Sequence, residues 1–355
     1  MSSSSIAQHR LRSQRLTGAG FRRITDAVAH LGAVQAQDYA LAKWALGLRV
    51  PGTTDADVER AFADGTILRT HVLRPTWHFV TPADIRWLLA LTAPRVHRLS
   101  ASMYRKIGHD RDDVRRCRAA LTRALGGRCL TRGELRTALR QAGVRTDGDM
   151  RMSYVLMHAE LDGLVCSGPR RGKQFTYALL DERAPFEKAV DRRDALVELA
   201  RRFFTSRGPA TPHDFAKWSG LTLADARQGL EGAGRALASE VIDGRMFWVA
   251  ARGAGQAPPR AATAHLLSIY DEYISGYKDR RDIIAASHAA RLRAMGGALT
   301  AIVIVNGRVV GTWKRRLQKK TLVVDVSYFV PITKAERGAV TAAIDKFLTF
   351  CEPAA

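Results

Sequence analysis

The feature that most constrains this chain is an order of segments that occurs twice: helical patterns followed by a pair of short strand patterns. The first copy spans about residues 112–182. Val114, Leu121 and Leu125 recur at helical spacing within DDVRRCRAALTRAL. Thr131 with Glu134 three residues on has capping-box spacing, so a second helix is predicted to open there and stop at Gly143. A third, over about 149–163, carries Met152, Val155, Leu156, Ala159 and Leu161 on its apolar positions. LVCSG and QFTYALL then read as two strands joined by the basic turn PRRGK. Three helices closed by a hairpin are the plan of a winged helix, a helix-turn-helix with a β wing.

The order returns over about 191–250, through DALVELARRFFTSRG, TPHDFAKWSG, TLADARQGLEGAG, LASEVI and RMFWVA. Asp243-Gly244 between the last two is a favoured hairpin dipeptide. Residues 1–110 begin helically at RRITDAVAHLGAV and include the strand-like ILRTHVLRPTWHFV, which fits a third, more divergent copy. GAGQAPPR (253–260) reads as a linker. Beyond it, β-rich runs around Asn306-Gly307 precede the closing helix KAERGAVTAAIDKFLTFC. The expected fold is therefore α+β: about three tandem winged-helix domains (1–110, 111–185, 186–252) and a C-terminal α/β or small β-barrel domain (261–355).

Charge narrows the partner. Lys and Arg total 56 against 34 Asp and Glu, a formal +22 in 355 residues, with a pI near 10.6. Such an excess suits a polyanion, and with these modules it points to double-stranded DNA. A basic enzyme without a nucleic-acid role and an Arg-rich coding bias are the alternatives. Cys117, Cys129, Cys166 and Cys351 form no C-x-x-C pair, which argues against a zinc finger, an iron–sulfur cluster or a disulfide framework. MSSSSIAQHRLRSQRL lacks the apolar stretch of a signal peptide, and no run approaches a membrane span. The expectation is a cytoplasmic, nucleoid-associated monomer with no cofactor, no metal and no membrane partner.

Familiar catalytic sets are missing from the sequence: no P-loop, dinucleotide fingerprint, H-E-x-x-H or G-x-S-x-G. His30, His71, His78 and His97 are scattered and read as core or DNA-facing residues. What stands out is LGAVQAQDYA, where Gln35 and Gln37 flank one small apolar residue. On a continuous helix, residues two apart point to nearly opposite sides. Both amides share a site only if the backbone is extended or irregular there; otherwise they are solvated glutamines at a helix C-terminal turn.

RLTGAG…ITDAVAHLGAVQAQD, followed by RTHVLRPTWHFV, resembles the catalytic winged-helix module of the AlkZ/YcaQ DNA glycosylases, whose signature is Gln–apolar–Gln or Gln–apolar–Asp. HLLSIYDEYISGYKDR and VNGRVVGTWKRR are similar to that family's C-terminal domain, so the resemblance covers nearly the whole chain. It implies hydrolysis of the N-glycosidic bond of alkylated purines, with Gln35 and Gln37 catalytic, in DNA repair or in self-resistance to a genotoxic natural product. A purine alkylated at N7 or N3 is cationic and leaves as a neutral base, so amide groups that orient water and face an oxocarbenium-like sugar would suffice. No lysine lies close to the pair in sequence, so a Schiff-base lyase is not expected.

Secondary candidates are Asp38 and Asp271 as acids and His71 and His78 in the strand-like stretch; Asp271 and Glu272 serve equally as partners for Lys278 and Arg280. Arg69 and Arg74 are candidates for the same groove, and Trp77 for core or stacking platform. Arg170, Arg171 and Lys173 at the wing tip, and Lys314, Arg315 and Arg316 within a basic cluster that includes Lys319 and Lys320, suit phosphate contact or a minor-groove hairpin. The rival readings are a winged-helix transcription regulator and a non-catalytic DNA-binding protein.

Overall fold

A computed structural model describes residues 3–184, 186, 189–251, 261–295, 300–319 and 321–352. The expected linker at 253–260 and Lys320 lie outside the described residues. The chain divides into two compact units. One comprises Met1–Glu59, Leu196–Trp218 and Thr222–Ala355, the other Arg60–Ala195 and Ser219–Leu221.

In the second unit the predicted order stands. Helices Arg111–Leu125, Arg132–Gln141 and Asp149–Leu161 precede an antiparallel pair, Val165–Arg171 and Gln174–Leu179. Thr131 accepts the Glu134 N–H while the Glu134 carboxylate accepts the Thr131 N–H, so the capping box satisfies two N-terminal donors at once. Of the apolar positions read as helical, Leu121, Leu125, Met152, Val155, Leu156 and Ala159 converge on one core, joined by Leu135 and Leu139, while Val114 is half-buried outside it. Two more strands, Leu68–His71 and Trp77–Val80, pair antiparallel with Leu68 opposite Val80 and His71 opposite Trp77. Pro82 then starts the 25-residue helix Pro82–Lys106, at a position where its missing N–H costs nothing.

The first unit holds helices Ile24–Leu31 and Tyr39–Gly47, with the two-residue strand Val34–Gln35 between them. Strands Leu237–Ile242 and Arg245–Ala250 meet at Asp243-Gly244, both in the left-handed region (φ 49° and 71°) that a two-residue hairpin requires. Ala264–Leu267, Ile302–Val305, Arg308–Gln318 and Thr321–Tyr328 form an antiparallel sheet of linear order. Helix Lys334–Cys351 closes the C-terminal part. Trp44 and Trp313 both pack edge-on against Phe347, and their indole N–H groups donate to the carbonyls of Leu266 and Leu267. That pinning ties Tyr39–Gly47, the helix following the glutamines, to the sheet.

Candidate functional site

The helix Ile24–Leu31 ends at Gly32, whose φ of 74° turns the chain out of helical geometry at little steric cost. From Ala33 to Asp38 the backbone is not helical, and Val34–Gln35 is a strand. The helical geometry that separates residues two apart therefore does not hold here; the strand ends at Gln35, and Gln37 lies in the bend that leads to Tyr39–Gly47. Gln35 is buried, 8% exposed, and Gln37 is exposed. The alternative of two solvated glutamines at a helix end does not describe Gln35.

A buried ionic group grips this segment. Glu272 accepts the Gln35 backbone N–H at 3.0 Å, the Trp218 indole N–H at 2.9 Å and the Arg207 guanidinium at 2.6 Å. Arg207 in turn donates to the carbonyls of Leu31 (2.8 Å) and Ala33 (3.3 Å), and its guanidinium lies 4.3 Å from the centre of the Trp218 ring. Both charged side chains are fully buried. Neighbouring Asp271 forms a second buried pair, bidentate to Arg49 at 2.9 and 3.0 Å, and caps the helix Glu272–Ser275. Arg49 also donates to the carbonyl and side-chain oxygens of Gln14. Removing one member of such a pair strands the other charge in the interior, at a cost of about 3–5 kcal/mol.

These pairings correct the expected partners of the acids. Asp271 and Glu272 engage Arg49 and Arg207, not Lys278 and Arg280, and buried Asp271 does not present a carboxylate to a surface site. Sequence reasoning passed over Arg207, Arg49 and Trp218. The doubled acid in YDEYISG was the visible signal, but its partners lie 65 and 222 residues away. Asp38, set beside the pair as a possible base, is the N-cap of Tyr39–Gly47, with its carboxylate accepting the Leu41 N–H at 3.0 Å.

The strand candidates sit inside the second unit. Leu68–His71 is buried at all four positions, so alternation does not leave an exposed subset there. Arg69 lies against Trp77 (4.3 Å) and Phe175 (4.5 Å), and His71 pairs with the Glu160 carboxylate while its ring contacts Trp77. His78 is fully buried, with Nδ1 2.9 Å from the Thr76 carbonyl. Arg74 and Trp77 are half-buried. His97 and His158 both approach Asp162, at 3.1 and 3.4 Å, an ion-pair cluster between two helices.

The basic candidates are mostly at the surface. Lys173 is exposed at the hairpin turn, and Arg170 is half-buried over Phe175. Exposed Arg171 is committed to Glu134 at 2.6 and 2.9 Å, which holds that carboxyl down at about 2. Lys314, Arg315 and Arg316 follow buried Trp313 on Arg308–Gln318, which is exposed at every position from Lys314 to its end. Arg316 pairs with Asp325 on the facing strand at 2.6 Å.

The excess of positive charge suits a nucleic-acid partner, and comparison with known proteins names the class: DNA glycosylases. Residues 28–350 match the family described as DNA glycosylase AlkZ-like, and the chain belongs to that family. It is similar to the interstrand DNA cross-link repair glycosylase of Streptomyces sahachiroi, 28% identical over 305 residues that span 82% of this chain and 81% of that protein. The solved structure of Streptomyces sahachiroi DNA glycosylase AlkZ aligns with a TM-score of 0.80 at 25% identity, covering 97% of each chain. No helix among the described residues is long and apolar enough to cross a membrane.

Proposed function

We propose that this glycosylase hydrolyses the N-glycosidic bond of purines alkylated at N7 or N3, bulky and interstrand-crosslinked ones included, with Gln35 and Gln37 as its catalytic residues. Water oxygen attacks C1′ as the C1′–N9 bond breaks; its electron pair neutralises the cationic base, and the water proton passes to solvent. The amides orient that water and set their carbonyl dipoles toward the cationic sugar. Because an amide cannot serve as a base near neutral pH, the chemistry is confined to bases already activated by alkylation. The observation that carries this reading is the extended Gln35 segment, gripped at its N–H by Glu272 and at the preceding carbonyls by Arg207. Such rigidity is what electrostatic preorganisation requires.

The three helix-and-hairpin segments are read as winged-helix modules on duplex DNA, bound by a monomer. Arg170, Lys173, Lys314 and Arg315 supply phosphate contacts through the wing and the protruding hairpin. The reaction is monofunctional, ending at the abasic site. The relative's name, an interstrand DNA cross-link repair glycosylase, supports a role in cross-link repair; the source of the lesions in this reading is a DNA-alkylating natural product. Incubation with duplexes carrying 7-methylguanine or an N7–N7 guanine crosslink tests this: free modified base and intact abasic strands are expected. Binding without base release would leave a regulator or architectural DNA binder instead.

A further inference from the structure

The first unit contains a cavity of about 610 Å³ between the segment that follows strand Ala264–Leu267 and the helix Ala286–Ala294. Its walls are apolar, with Ile274, Ile284, Leu292 and Ile302 among them. Three polar atoms in its lining are buried with no hydrogen-bond partner among the described residues: the hydroxyls of Ser268 and Ser275 and Nε of Arg280. The two serines are only 3% and 6% exposed. Buried polar groups are nearly always satisfied, and those that are not call for an explanation such as a ligand. Tyr270, also in the lining, has a φ of 65°, a conformation that an aromatic residue rarely adopts and that tends to mark binding sites. Lys278, Arg281 and Arg293 add cationic groups, and all three are exposed.

This cavity borders another. It shares Thr300 with a second cavity, which is lined by Leu41, Lys314 and Arg315. The Leu41 N–H is the one capped by Asp38, next to Gln37. A substituent on a lesion held at the glutamines would thus meet the second cavity on the helix that follows them, and that cavity borders the first at Thr300.

Resting on the glycosylase reading above, we infer that the cavity receives the body of a bulky purine adduct: a flat, largely apolar group bearing hydrogen-bond acceptors and no positive charge. The size fits a drug-sized group and exceeds the needs of a methyl substituent. The unpartnered atoms select for acceptors, since Arg280 Nε–H donates only and each serine hydroxyl has a proton to donate. The surrounding cations disfavour the alkylated purine ring itself, which is positive until its bond breaks. The apolar walls disfavour a backbone phosphate.

The probe is a duplex carrying the N7-guanine adduct of aflatoxin B1 epoxide, whose aflatoxin body is flat, uncharged and rich in carbonyl and ether oxygens, set against a 7-methylguanine duplex. Affinity by anisotropy and single-turnover excision are measured for the wild type, Ala289→Trp (which fills the cavity from its helical wall) and Arg280→Gln (which removes the donor). The wild type should favour the bulky adduct, and each variant should shrink that affinity ratio about tenfold, the scale on which one binding group discriminates. A wild-type ratio near one, or a ratio that both folded variants preserve, overturns the inference. The affinity ratio decides the matter even for a protein that excises neither base, an outcome that would overturn only the glycosylase chemistry.

Discussion

Glu272 holds the backbone of Gln35 at 3.0 Å across 237 residues of sequence, using a carboxylate that is itself locked to Arg207 and Trp218. The candidate catalytic segment is therefore held by a buried ion pair in addition to the turn at Gly32 and the cap at Asp38 that bound it.

Glu272→Ala should unfold the protein more readily by about 3–5 kcal/mol, because Arg207 is left charged and unpaired in the interior. Glu272→Gln keeps an acceptor for the Gln35 N–H and should fold better than the alanine variant. It should still slow base release, since the weaker acceptor loosens Arg207 and the carbonyls it holds. Denaturant titration and single-turnover excision on the two variants check both effects; a Gln variant as stable as the wild type would remove the charge argument, because its neutral amide leaves Arg207 without a counter-ion.

Neutralising Arg170 and Lys173 should weaken binding to damaged and undamaged duplex alike, with the salt slope falling by about 0.9 for each phosphate that the protein ceases to neutralise. Arg171→Ala should differ from these. It also releases Glu134, whose carboxyl should climb from about 2 toward its ordinary value while the capping box at Thr131 weakens. Fluorescence anisotropy across salt concentrations, with an NMR pH titration of Glu134, separates the two behaviours. An unchanged salt slope in the Arg170 and Lys173 variants would take the wing off the DNA.

Stability should fall as the pH drops from 6.5 toward 4. Burial depresses His30 and His265 to about 4, so over that interval the unfolded chain binds protons that the folded chain does not. Each contributes at most about 3 kcal/mol, fully present above pH 6.5 and lost by pH 4. His265→Asn should reduce the slope of unfolding free energy against pH by about one proton. A flat profile between pH 6.5 and 4 would contradict the burial of both rings.

The parts of this fold that were legible in the sequence are local ones. Thr131 and Glu134, Asp243-Gly244 and Asn306-Gly307 each specify a cap or turn within four residues, and each stands where expected. The family, too, was readable from four segments in order, because their combination spans the chain. What failed was partner choice. Lys278 and Arg280 are close to Asp271 and Glu272 in sequence, whereas Arg49 and Arg207 are brought by folding. Periodicity likewise misled at Arg69 and His71: a strand buried on both faces has no solvent side for alternation to mark. The glutamines lie between these cases: their spacing posed a condition on the backbone, an extended or irregular path, and residues 33–38 are non-helical with only Gln35 of the pair in a strand.

Single-turnover release of 7-methylguanine by Gln35→Ala, Gln37→Ala and the double variant tests the central claim most directly. Each single change should slow release by about 10²–10³, the usual cost of removing one preorganised hydrogen-bonding group, tempered by the easy departure of a cationic base. The double variant should fall short of the product of the two, because both amides act on one water. Gln37→Asp should retain activity, its carboxylate serving as acceptor for the water proton, whereas the shorter Gln37→Asn should not. Duplex affinity and unfolding midpoint should stay near wild type for Gln37→Ala, whose side chain is exposed. A purified double alanine variant that releases the base at the wild-type rate would contradict the account.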